Sequence, residues 1–158
     1  METPIRVSAD FAAAYPDGSA SATECAMNLV RTGDLVLGRV ATTLQPLELS
    51  PAGGLVLGLL KDTGKPCSPN FISDRLIVSP ATVTGVLDTL AKHGLVRREP
   101  HPNDRRMVLV HLTKAGSRAA DKVRRTVHRA EAEWMKPLSE HERAQLTKLL
   151  GKVQRHLA

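Results

Sequence analysis

The stretch SPNFISDRLIVSPATVTGVLDTLAKHG, residues 68–94, decides the fold. It contains the pair Ser-Pro twice, at Ser68-Pro69 and Ser79-Pro80, and the same pair stands upstream at Ser50-Pro51. A serine ahead of a helix accepts a hydrogen bond from an amide left unpaired in the first turn. Proline fits the first helical position because its missing N–H would go unused there. The three pairs therefore predict three helix starts. The first helix carries Leu55, Val56, Leu59 and Leu60 and ends near Asp62-Thr63-Gly64; the second is short and runs through Leu76. The third puts Val83, Val86, Leu87 and Leu90 on its inner face and stops at Gly94. About one turn separates the second helix from the third, which is the connection of a helix-turn-helix, whose second helix offers its first turns to the DNA major groove.

The outer face of that third helix, with Ser79 at its start and Ala81, Thr82, Thr84, Gly85 and Asp88 along it, is small and polar. Such a face can approach base edges closely, but it has no Arg or Gln to announce a particular base. After Gly94, Leu95-Val96-Arg97-Arg98 and the run from Met107 to Leu112 predict two strands separated by a charged, turn-forming loop from Pro100 to Arg105. The result is a hairpin wing. An arginine at its tip suits a narrow A·T-rich minor groove, where negative potential is concentrated. A merely solvated hairpin is the plain alternative, and the helix-turn-helix directly before it favours the DNA reading.

Outward from this module, residues 1–20 read as a mostly irregular arm with one short helix around FAAAY. Ser21 and Glu24 have capping-box spacing, and Cys25, Leu29, Val36 and Val40 recur on one face of a helix running to about Leu44. Downstream, Thr113 caps a long basic helix to about Lys136, and Ser139 with Glu142 forms a second capping box. The last helix repeats Leu146, Leu149, Leu150, Val153 and Leu157 on one side. A small winged module has little surface to cover these helices, so a symmetric homodimer through Leu29, Val36 and the C-terminal stripe is expected, with folding back inside one chain as the alternative. The expected organisation is an arm (1–20), a dimerisation helix (21–46), a winged helix-turn-helix DNA-binding domain (49–112) and C-terminal dimerisation helices (113–158). The fold class is mainly α with a small β-hairpin wing, α+β.

Composition agrees. The 158 residues carry a formal charge of +6, and the basicity sits in one quarter of the chain: residues 92–129 hold eleven Lys and Arg against Glu99, Asp104 and Asp121. A local cationic block suits a polyanion, since each neutralised phosphate releases condensed counterions. No apolar run is long enough to cross a bilayer, and METPIRVSAD lacks the features of a secretory signal, so a cytoplasmic location is expected. The six histidines are scattered, with no metalloprotease pair, phosphate loop or serine elbow, which predicts no catalysis and no bound metal or cofactor. Cys25 and Cys67 lie 42 positions apart without metal-ligand spacing. Cys25, with no lysine nearby, reads as a buried small hydrophobe, and Cys67 as the more exposed thiol.

The run from Leu49 to Gly116 resembles the MarR family of bacterial regulators. The resemblance is carried by Asp104-Arg105-Arg106, then Leu112-Thr113 and Gly116. Ahead of these stand Ala81-Thr82-Val83-Thr84 and Lys92-His93-Gly94-Leu95-Val96. It implies a triangular dimer of winged modules on an inverted repeat of double-stranded DNA, usually acting as a repressor. It also implies Arg106 at the wing tip in the minor groove, Asp104 bracing the wing, Thr82 and Thr84 facing the major groove, and Arg98 and Arg105 on phosphates. The family commonly releases DNA when a small aromatic acid or phenol binds between the winged module and the dimer helices. The four aromatics, Phe11, Tyr15, Phe71 and Trp134, form no evident cage in the sequence. The urate-responsive branch also has an N-terminal extension, but its tryptophan is absent from residues 1–40. Some relatives sense peroxide through a cysteine near the place of Cys25, which keeps a redox-sensing regulator as an alternative although the supporting tyrosines are missing. A winged module that binds only proteins is disfavoured by the presence of Arg105 and Arg106.

Overall fold

A computed structural model describes residues 3–76, 78–102 and 104–157, with residues 104–106 described by their backbone alone. A one-turn helix α1 (Phe11–Ala14) precedes the long α2 (Ala20–Leu44), which passes through a 3-10 turn at Gln45–Leu47. Then come α3 (Pro51–Thr63), α4 (Pro69–Leu76), α5 (Pro80–Lys92), the strands β1 (Val96–His101) and β2 (Asp104–Leu112), and the helices α6 (Lys114–Trp134) and α7 (Glu140–Leu157). All three Ser-Pro starts form. Ser50 accepts from the Gly53 amide, Ser68 from that of Phe71 and Ser79 from that of Thr82. The predicted stops also form, with Gly64 at φ 62° and Gly94 at φ 68°, the left-handed conformation that glycine adopts without cost.

Two boundaries differ from the sequence reading. The cap of α2 is Ser19, which accepts from the Ala22 amide, and not Ser21. Glu24 does not fold back on its own helix because it holds the arm: its carboxylate accepts from Arg6 at 2.7 Å and from the Val7 amide at 3.1 Å. One turn on, Asn28 accepts from the Ile5 amide and donates to the Ile5 carbonyl, both at 2.9 Å. The arm is thus strapped along α2. The hairpin is also longer than its sequence pattern, since the ladder continues through Glu99↔Leu109 and Pro100↔Val108 to His101↔Asp104. Pro100 is tolerated because β1 pairs on one side only.

One core runs through the winged module. Leu44, Val56, Leu57, Leu60, Ile72, Val83, Leu87, Leu90, Val96, Val110, Ala120 and Val123 are buried together, so the end of α2 and the first half of α6 belong to it. The cysteines reverse their expected places: Cys67 is buried and Cys25 is exposed. Cys67 exchanges backbone hydrogen bonds with Val110 at 3.1 and 2.8 Å, which draws its segment against β2. Met27, Leu29, Val30 and Leu35 of α2 are exposed, as are Leu146, Leu149, Val153 and Leu157 of α7. Val36 and Leu150 are half-buried.

The joint between wing and α6 is tight. The Thr113 hydroxyl donates to the carbonyl oxygens of Gly94 (2.8 Å) and Leu95 (3.1 Å) and accepts from the Gly116 amide (2.9 Å). A Cβ on Gly116 would stand 1.9 Å from the Leu95 oxygen and 2.9 Å from Leu112 Cδ1. Gly116→Ala should therefore force a backbone shift and lower stability by about 1–3 kcal/mol. Urea unfolding checks this, with the exposed Lys114→Ala as the control that stays near wild type.

Candidate nucleic-acid interface

The candidate site is the outward side of α5 with the adjoining hairpin. Burial of Val83, Leu87 and Leu90 fixes the roll of α5, which leaves Ser79, Ala81, Thr82, Thr84, Gly85 and Asp88 exposed on the other side. The hydroxyls of Ser79 and Thr82 lie 2.8 Å apart, and Thr84 donates to the Pro80 carbonyl at 2.9 Å. Thr84, itself exposed, thereby uses its hydroxyl proton inside the helix and offers its oxygen only as an acceptor. Around Gly85 a Cβ would meet nothing within 4 Å, so no contact inside the chain calls for glycine there.

Arg98 of β1 reaches across to α5, donating to Asp88 Oδ1 at 2.6 Å and to the Thr84 carbonyl at 3.4 Å. The sequence reading gave Arg98 and Asp88 separate contacts; the fold makes them partners that tie the wing to the helix. Pairing ten positions apart becomes visible only when the hairpin turns β1 back along α5. On the hairpin, cross-strand pairing places Arg97 opposite His111. Arg97 is ion-paired with Glu99, and His111 Nε2 lies 2.9 Å from Glu99. That nitrogen is buried and lacks hydrogen-bond geometry to any partner among the described residues. Strand alternation puts Arg97 and Glu99 on one face, the signal by which this cluster was detectable in sequence. The side chains of Asp104, Arg105 and Arg106 lie outside the described residues; the backbone of Asp104 opens β2.

Burial, and then the charge of Arg97, hold the His111 imidazole below its ordinary range. As pH falls through the ordinary value of 6.5, the unfolded chain takes up this proton first, so stability is lost on acidification. Unfolding curves at about pH 7.5 and about pH 5.5 should show a smaller loss for His111→Gln than for wild type. An equal loss in both proteins would remove His111 from this account.

The three helices α3, α4 and α5 with the antiparallel hairpin define a winged helix-turn-helix. Residues 49–108 match the MarR family. The chain is 36% identical over 107 residues to the uncharacterised HTH-type transcriptional regulator YkoM of Bacillus subtilis, covering 68% of this chain and 69% of that protein. It is 36% identical over 104 residues to the regulator PecS of Dickeya dadantii, covering 65% of this chain but only 63% of PecS. Among solved structures, a mutant of Escherichia coli MarR in complex with operator DNA is 28% identical with a TM-score of 0.76, over 92% of this chain and 99% of that one. The chain belongs to the MarR family and is a DNA-binding transcriptional regulator.

Proposed function

We propose that the chain is a cytoplasmic homodimeric repressor that grips an inverted-repeat operator and lets go when a small aromatic acid or phenol binds. The observation that carries the DNA part is the outward face of α5, which is small, polar and uncovered, with Gly85 in open space. Glycine inside an exposed helix costs about 1 kcal/mol relative to alanine, and close approach of a base pair supplies a reason for it. In this reading Thr82 and Thr84 face base edges in the major groove, Arg106 enters the minor groove, Asp104 braces it, and Arg105 and Arg98 serve phosphates.

The dimer reading rests on exposed apolar residues at both ends of the chain, Leu29 on α2 and Leu146, Leu149, Val153 and Leu157 on α7. Within residues 21–46 and 113–158, the exposed apolar faces of α2 and α7 would then pair two copies around the DNA-reading modules at 49–112, with the arm at 1–20 alongside and the polar outer face of α6 left uncovered. Light scattering should give twice the 17.1 kDa chain mass. A stable monomer with tight operator binding would overturn this arrangement.

The release reading is supported by a cleft of about 1160 Å³ between α2, α3, α4 and α6. Val40, Leu55, Leu59 and Phe71 give it apolar walls and Arg75 offers a cation to a carboxylate, while Arg124 and His128 in the same lining are paired with Asp62 and Glu131.

Fluorescence anisotropy with operator DNA at several salt concentrations tests the contacts. Arg106→Ala should weaken binding by about 1–3 kcal/mol and flatten the salt slope by about one unit per protomer. Gly85→Ala should stabilise the free protein by about 0.5–1 kcal/mol while weakening its operator binding. Normal binding by both Arg106→Ala and Arg105→Ala would exclude the wing from the contact.

A further inference from the structure

Five cations, Lys114, Arg118, Lys122, Arg125 and Arg129, recur along α6 at intervals of three and four residues. At about 100° per residue they fall within an arc of about 80°, and at 1.5 Å per residue they extend over about 22 Å. All five are exposed, and none has an ion pair or hydrogen bond among the described residues. Every acid of α6 is engaged elsewhere: Asp121 by Lys61 at 3.1 Å, Glu131 by His128 at 3.0 Å and Glu133 by Lys136 at 2.6 Å. The stripe lies opposite the buried Gly116, Ala120 and Val123.

It is also apart from the operator-facing surface proposed above. α6 begins at the root of the hairpin, where Val96 pairs with Leu112, whereas the tip is at His101↔Asp104. Thr113 fastens that start to Gly94 and Leu95, beyond the C-terminal end of α5.

We infer that this stripe is a second polyanion surface, a track for the phosphates of duplex DNA other than the segment read by α5. The pattern of side chains selects the partner. A protein partner would be anchored at a desolvated centre by aromatic residues together with arginines, and this exposed stripe has arginines but no aromatic residue. A membrane would need the apolar side of the helix, which is buried in the core. An uninterrupted row of like charges matches the uniform, closely spaced charge of a duplex, about one phosphate per 3.4 Å on each strand. The duplex could be the flank of the bound operator or a separate molecule; the phosphate chemistry is the same.

The test is a full-length variant with Lys114→Gln, Arg118→Gln, Lys122→Gln, Arg125→Gln and Arg129→Gln, beside a double variant, Arg118→Gln with Arg125→Gln. Circular dichroism verifies folding, and the double variant decides if the first does not fold. Binding to a random-sequence duplex of about 150 base pairs is followed against salt, together with capture of a labelled short duplex by protein already seated on immobilised operator. The salt slope should flatten by up to roughly four units per protomer in the fivefold variant and by about two in the double one. Affinity for a minimal operator without flanks should stay within about threefold of wild type, which separates this surface from the operator contacts tested through Arg106. Loss of second-duplex capture identifies a separate molecule, and loss confined to long-flanked operator identifies the flank; either result supports the track. Unchanged slopes with unchanged capture overturn it, as does a loss seen with duplex RNA but not with duplex DNA.

Discussion

Everything beyond the hairpin depends on the place where α6 leaves the wing. There the helix backbone at Gly116 runs so close to the Leu95 carbonyl that no side chain fits between them, and the Thr113 hydroxyl closes the junction from both sides. With its first turn fixed, α6 can send Ala120 and Val123 into the core. Lys61 bridges to Ser117 and Asp121, and Arg124 bonds to the Gly58 carbonyl and pairs with Asp62, which sets the angle between α6 and α3. These partly exposed ion pairs are each worth at most about 1 kcal/mol, so they select the angle more than they hold it. The cleft between α2, α3, α4 and α6 takes its shape from that angle.

Local signals made most of the fold legible. Each Ser-Pro start, the stops at Gly64 and Gly94, and the capping box of α7 involve residues within four positions of one another. In that box the Ser139 amide donates to Glu142 at 2.7 Å, and the Glu142 amide to Ser139 at 3.3 Å. What escaped the sequence was decided at a distance. Glu24 has the spacing of a cap residue yet serves Arg6, 18 positions away. Cys67 adjoins a helix start, where exposure is usual, yet a backbone bridge to Val110 buries it.

The candidate site divides in the same way. The outward face of α5 follows from periodicity, because the apolar positions fix the roll of the helix. The bond from Arg98 to Asp88 does not, because it requires the strand to pass beside the helix it follows. Gly85 lies between these cases: its identity is plain in the sequence, but the open space around it is known only from the fold.

The Arg98 bridge has a mechanical meaning. Its two bonds, to a side chain and to a main-chain carbonyl of the same helix, resist both sliding and twisting of the hairpin relative to α5. The pair is partly exposed and worth at most about 1 kcal/mol, so it biases helix and wing toward turning together about the joint at Thr113. A small rotation there is magnified along the length of the hairpin, and the helix face and the wing tip swing by the same angle. Displacing either element while the other stays in place breaks this bridge.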